Sequence, residues 1–148
     1  MRPTARSLRI AVYVLAWAFA VIGATPVSAD GDPANGAKIF QQCSACHSPE
    51  KGVNLFGPSL HCVVGRPAGS IPGYDYSPAM QEAAKKSLTW TAENIIAYLE
   101  NPHKYLENFD QDPGVRNKMP FMLPDMQQRQ DVVAYLNSLA AGQCNGGP

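Results

Sequence analysis

Five consecutive residues, Cys43-Ser44-Ala45-Cys46-His47, put two thiols and an imidazole within about one helical turn. Cysteines three apart lie on one side of such a turn. They can form thioethers with the two vinyl groups along one edge of a haem. The next residue, His47, can then offer its imidazole to the iron as an axial ligand, which is the spacing of c-type haem attachment. Two rival chemistries also use paired cysteines. A redox dithiol would need βαβ surroundings, which this sequence lacks. A structural zinc site would need two further ligands; Cys62 and Cys144 are present but have no paired spacing. The haem reading fits best, with zinc and dithiol as its alternatives.

The elements that must position this motif read as helices joined by Gly/Pro-rich loops. Asp32-Pro33 pairs an N-cap acid with proline at the first helical position. Ile39, Cys43, Cys46 and His47 then share one helical face, and Ser48-Pro49 closes that helix. Lys51 to Tyr76 shows no sustained period and reads as an ordered loop. Ser77-Pro78 caps a short helix to about Lys86. Thr91 caps another, with Ile95, Tyr98 and Leu99 on one face, and Asn101-Pro102 ends it. Glu107 to Pro124 reads as loop again. Asp125 opens the last helix, with Val132, Tyr135, Leu136 and Leu139 as its buried stripe and Gly142 as its stop. No period-2 strand appears. The expected fold is all-α, one small domain of about four to five helices. Long loops in so small a domain are usually wrapped around something.

Ahead of the domain, Met1 to Arg9 is basic and Ile10 to Ala24 almost wholly apolar. Val27-Ser28-Ala29 then supplies the small residues a signal peptidase reads. The expectation is a signal peptide over 1–29, cleaved after Ala29, and a domain over 30–148. The alternative is an uncleaved anchor, for which the apolar run is short. The 148 residues carry 12 basic and 12 acidic side chains. Three arginines and no acid precede Asp30, so the domain holds nine basic against 12 acidic residues. That balance excludes a nucleic-acid binder, which needs a basic surface to replace phosphate counterions.

Beyond the haem motif, the chain resembles the small soluble class I cytochromes c, the mitochondrial group and its bacterial periplasmic relatives. The resemblance runs from about Gly31 to Ala140. It rests on Gly36 to Phe40 (GAKIF), the Cys43 to His47 motif, Gly57 to Leu60 (GPSL), Gly65 to Gly69 (GRPAG), Pro72 to Tyr76 (PGYDY), Leu88 to Trp90 (LTW), Tyr98 to Tyr105 (YLENPHKY), Lys118 to Phe121 (KMPF) and Asp131 to Leu136 (DVVAYL). It implies the cytochrome c fold around one covalent haem c. It also implies a set of roles. Met119 would be the second axial ligand, a soft thioether that favours ferrous iron; Met122, one turn on, is its competitor. Pro58 would offer its carbonyl to His47, and Tyr98 would hydrogen-bond the methionine sulfur. Arg66, Tyr76 and Trp90 would serve the haem propionates. Gly36, Phe40, Tyr135 and Leu136 would form the contact between the first and last helices.

Three features depart from the family pattern. Leu106 to Lys118 is longer than usual and contains Glu107, Asp110 and Asp112. Cys62 and Cys144 are extra. In an oxidising compartment they suggest a disulfide, and the family fold brings the two regions near; two free thiols, or a bond from Cys144 to another chain, are the alternatives. His61 and His103 could replace methionine at iron but sit in polar contexts that favour solvated histidine.

With both axial positions filled, no substrate could reach the iron, so the expected function is one-electron carriage rather than catalysis. The resemblance implies a monomer in the periplasm, not inserted in the membrane. It implies a cytochrome bc1-type donor and a terminal oxidase or photosynthetic reaction centre as acceptor. Lys51, Lys85, Lys86, Lys104 and Lys118 could form a basic rim for transient docking. Two alternatives stand beside this. One is a dedicated acceptor subunit of a periplasmic dehydrogenase, recognised through the acidic insert. The other is a haem enzyme or gas binder with a dissociable sixth ligand.

Overall fold

Each helix of the protein starts where a short polar side chain can take over an unpaired backbone N–H. In the computed structural model, which describes residues 31–141 and 144, α1 runs Pro33–Phe40, α2 Pro78–Lys85, α3 Ala92–Glu100, α4 Pro102–Asp110 and α5 Met126–Ala140. Asp32 caps α1 through Ala34 N–H, Ser77 caps α2 through Met80 N–H and Thr91 caps α3 through Asn94 N–H. Asn101 caps α4 through Lys104 N–H, and Asp125 caps α5 through Gln128 N–H. Proline follows the cap in α1, α2 and α4, where its missing N–H costs nothing. The described residues contain no strand; one isolated bridge pairs Pro67 with Thr89. The fold is all-α, and none of the described helices is long and apolar enough to cross a membrane. The expected signal peptide, residues 1–29, and the expected stop at Gly142 lie outside the described residues.

Two expectations about the elements are corrected. Regular α1 stops at Phe40 rather than running on to the haem motif. Cys43 to His47 follows as a separate helical turn, closed by His47 N–H to the Cys43 carbonyl at 2.9 Å. Second, α4 occupies residues expected to be loop from Glu107 onward. Asn101-Pro102 ends α3 but also begins α4, because the same side chain that terminates one helix caps the next. The first five residues of the insert, 106–110, are therefore helix. Its Leu106 is fully buried and its Asp110 is buried, so of the three acids expected on its surface only Asp112 is fully exposed, with Glu107 half-buried.

The core forms where α1 and α3 pack on α5. Gly36 lets α1 approach: a Cβ there would lie 1.9 Å from the Asp131 carbonyl oxygen. Beside it the Phe40 and Tyr135 rings pack at 5.3 Å between centroids. The buried Asp131 carboxylate pins the start of α1 by accepting from Asp32 N–H at 2.8 Å and Asn35 Nδ2 at 2.6 Å, with Gln127 Nε2 at 2.9 Å. Burial pushes this carboxyl up, but those three donors outweigh it and leave it below the ordinary range. Buried Arg129 donates to the carbonyls of Leu123 and Pro124 and pairs with Glu100, fastening the loop before α5 to α3. Leu139, expected in the α5 stripe, stands partly exposed; Val133 is buried instead.

Candidate functional site

The helical turn after α1 and the loop before α5 bring their chemistry to one cavity of about 270 Å³. Cys43, Cys46 and His47 line it from the first segment, and Asn117, Lys118 and Met119 from the second. Phe40, Ile95, Leu99, Val132 and Leu136 supply apolar walls from α1, α3 and α5. Pro58, Arg66, Tyr76, Trp90 and Tyr98 also line it, so every residue expected to serve a haem meets in one place. Met122 does not line it and is 52% exposed. His61 and His103 are absent from its lining too. His103 sits on α4, not in a loop, and faces Glu107 at 3.3 Å.

His47 is held by residues from the following loop. Its Nδ1 lies 2.8 Å from the Pro58 carbonyl oxygen, so Nδ1 carries the proton and Nε2 keeps its lone pair. Gly57 lies flat against the ring: a Cβ there would be 2.2 Å from Cε1. Burial holds the imidazole below its ordinary pKa, with the Pro58 carbonyl opposing and the Arg66 charge reinforcing that shift. A neutral ring with a free Nε2 is a metal ligand in waiting.

The two rival chemistries fit poorly. Burial, with the Cys46 charge beside it, pushes the Cys43 thiol up to about 11. A reactive dithiol needs the opposite shift. Cys62 and Cys144 are bonded to each other, Cα to Cα 5.6 Å, and so are withdrawn from any zinc site. Among the described residues no three His, Cys, Asp or Glu side chains gather as a metal cluster. Haem fits: the cavity is mostly apolar, carries two free thiols and a thioether at its wall, and holds one half-buried guanidinium. Arg66 donates to the carbonyls of His61 at 2.7 Å and Ser59 at 2.9 Å. Among the described residues it has no carboxylate partner, which suits a site for an anionic group.

The remaining polar groups brace the walls. Tyr76 accepts from Ile71 N–H at 3.2 Å. Trp90 and Tyr98 pack at 4.8 Å between ring centroids, and Tyr105 meets Tyr98 edge-on at 5.7 Å. Lys118 bonds Asp75 through its carboxylate at 2.7 Å and its carbonyl at 2.6 Å. Of the five lysines expected at a basic rim, only this one lines the cavity, and it is paired with an exposed carboxylate.

Sequence reasoning missed Gly57, Tyr74 and Asn117. Tyr74 donates to the Phe56 carbonyl at 2.5 Å, fixing a loop whose Phe56 side chain is 89% exposed. Asn117 is bonded in both directions to the backbone of Met119. Its signal was available, since an asparagine two residues from a constrained position commonly forms an Asx turn.

Comparison with known proteins places this arrangement. The sequence profile of the family described as Cytochrome c matches residues 33–140. Cytochrome c2 iso-2 of Rhodospirillum centenum is 46% identical over 119 residues, covering 75% of this chain and 98% of that protein. A cytochrome c2 of Rhodopseudomonas palustris is 46% identical over 114 residues, 73% of this chain and 98% of that one. The solved structure of cytochrome c2 from Rhodospirillum centenum superposes with a TM-score of 0.70 at 44% identity, covering 74% and 98% of the two chains.

Proposed function

This chain belongs to the cytochrome c family, carries one covalently attached haem c and transports electrons, and from that premise we propose that it is a periplasmic carrier with His47 and Met119 as its axial ligands. The single observation that carries the ligand assignment is the meeting of two groups in one apolar cavity. They are a neutral His47 with Nδ1 committed to the Pro58 carbonyl, and the Met119 thioether. When bound, haem c supplies a one-electron couple between ferric and ferrous iron.

The chain's own residues do the rest. Cys43 and Cys46 would hold the group by two thioethers. The Pro58 carbonyl raises the donor strength of His47 and fixes its ring. The Met119 sulfur, as a weak soft donor, favours the ferrous state. Arg66 and Tyr76 would face the propionates, with Trp90 beside them, so that buried carboxylates meet donors. Ile95, Leu99, Val132 and Leu136 keep water from the centre. With His47 and Met119 both holding the iron, no place would remain for a substrate to coordinate. The partners would be redox proteins, a cytochrome bc1-type donor and a terminal oxidase or reaction-centre acceptor. Export would rest on a signal peptide over 1–29. For the dedicated-subunit reading, Asp110 is buried and Glu107 is engaged by His103 and Lys104, which leaves exposed Asp112 as the acidic group a partner could recognise.

The visible spectrum of the exported ferric protein tests the assignment. A weak long-wavelength sulfur-to-iron band is expected, and Met119→Ala should abolish it. A high-spin spectrum of the unmodified protein, with rapid cyanide binding, would replace this reading with an open-site haem protein.

A further inference from the structure

Between Arg116, whose carbonyl accepts from Ala79 N–H, and Leu123, whose N–H donates to the Leu99 carbonyl, the backbone makes no backbone hydrogen bond among the described residues. Met119 sits in the middle of this span. Its N–H donates to Asn117 Oδ1 at 3.3 Å, and its carbonyl accepts from Asn117 Nδ2 at 3.2 Å. One side-chain amide therefore does for this residue what a helix or sheet does elsewhere. The same side chain lines the cavity together with Tyr98, whose ring is buried in its wall. Next to it Lys118 is tied to Asp75. The segment is thus fastened at two adjacent residues, and only the Asn117 clamp acts on Met119 itself.

We infer that Asn117 is the positioning residue for the Met119 sulfur, clamping the Met119 backbone through both its N–H and its carbonyl so that the thioether is presented to the haem in one orientation. The inference rests on the proposed His47/Met119 ligation and deepens it. Free of the clamp, six residues without backbone bonds would let the sulfur leave the iron more often. An outside ligand would then compete better, and the preference for ferrous iron would weaken.

The test uses the exported holoprotein, with cyanide as the competing probe. In Asn117→Ala, cyanide affinity of the ferric form should rise about ten-fold, the scale of one or two lost net hydrogen bonds. The reduction potential should fall, and the sulfur-to-iron band should vanish at lower pH than in the unmodified protein. Asn117→Ser, which keeps an acceptor for Met119 N–H, should recover part of each change. The far-UV thermal melt, dominated by α1, α3 and α5, reports on folding separately. Cyanide affinity and potential unchanged in Asn117→Ala overturn the inference, as does a change that merely tracks the melt. If the unmodified protein lacks the sulfur band, the ligation reading itself fails, and this inference with it.

Discussion

His47 is oriented by residues ten and eleven positions further on, not by its own turn. Pro58 sets the tautomer through its carbonyl, and Gly57 leaves room for the ring. Gly57 is itself fixed, donating its N–H to the Cys46 carbonyl at 2.8 Å and accepting from Leu55 N–H at 2.9 Å. Its backbone cannot yield to an added methyl without breaking one of these bonds. Gly57→Ala should therefore cost about 1–3 kcal/mol, the usual range for overpacking a filled site. A denaturant midpoint of the holoprotein measures it. An unchanged midpoint would mean that the His47 ring moves aside freely, contrary to the fixed orientation argued for it.

At the scale of elements, the contact of α1 with α5 depends on one carboxylate. Asp131 takes three donors, from the cap of α1, from α1 and from α5, and its pKa lies below the ordinary value. The sign of the linkage follows: a carboxyl depressed by folding stabilises fully above its unfolded pKa of about 4, and loses that contribution as pH falls through the folded value. Asp131→Asn should cost about 2 kcal/mol at pH 7, in the range for bonds to a charged acceptor. The gap between variant and unmodified protein should shrink as pH drops below about 4. Urea melts of the pair across pH 7 to 2 measure this. A gap that stays constant would assign the cost to geometry rather than to charge.

At the scale of the molecule, Cys62 and Cys144 join the loop following the haem motif to the chain just past α5, 82 residues apart in sequence. Together with α1 on α5, this closes the chain around the cavity. On the chain-entropy account such a bond stabilises by about 4 kcal/mol. It lies outside the cavity lining, so replacing both cysteines by serine should lower the melting temperature and leave the visible spectrum intact. A spectrum altered with an unchanged melt would contradict both halves of that expectation. Of the lysines expected at a basic rim, Lys85, Lys104 and Lys118 each face a carboxylate, Lys86 donates to the Asp110 carbonyl, and Lys51 is exposed with no ion pair among the described residues.

The sequence by itself determined what is local. Asp32-Pro33, Ser77-Pro78, Thr91 and Asp125 announced four helix starts, because a cap acts on N–H groups two or three residues away. Cys43 to His47 announced its chemistry because two thiols and an imidazole within one turn need no tertiary help to be near each other. Asn101-Pro102 carries the same cap chemistry but reads in the sequence as the end of a helix, and the burial of Leu106 and Pro102 accounts for the helix that follows. Tertiary structure alone decided the rest: that Cys62 meets Cys144, that Met119 and not Met122 reaches the cavity, that Gly57 presses on His47, and that Asp110 is buried. These depend on which distant segments share space, and periodicity along the chain carries no record of that. The resemblance to a family supplied some of those meetings as expectations; the packing of α1 and α3 on α5 brings them about.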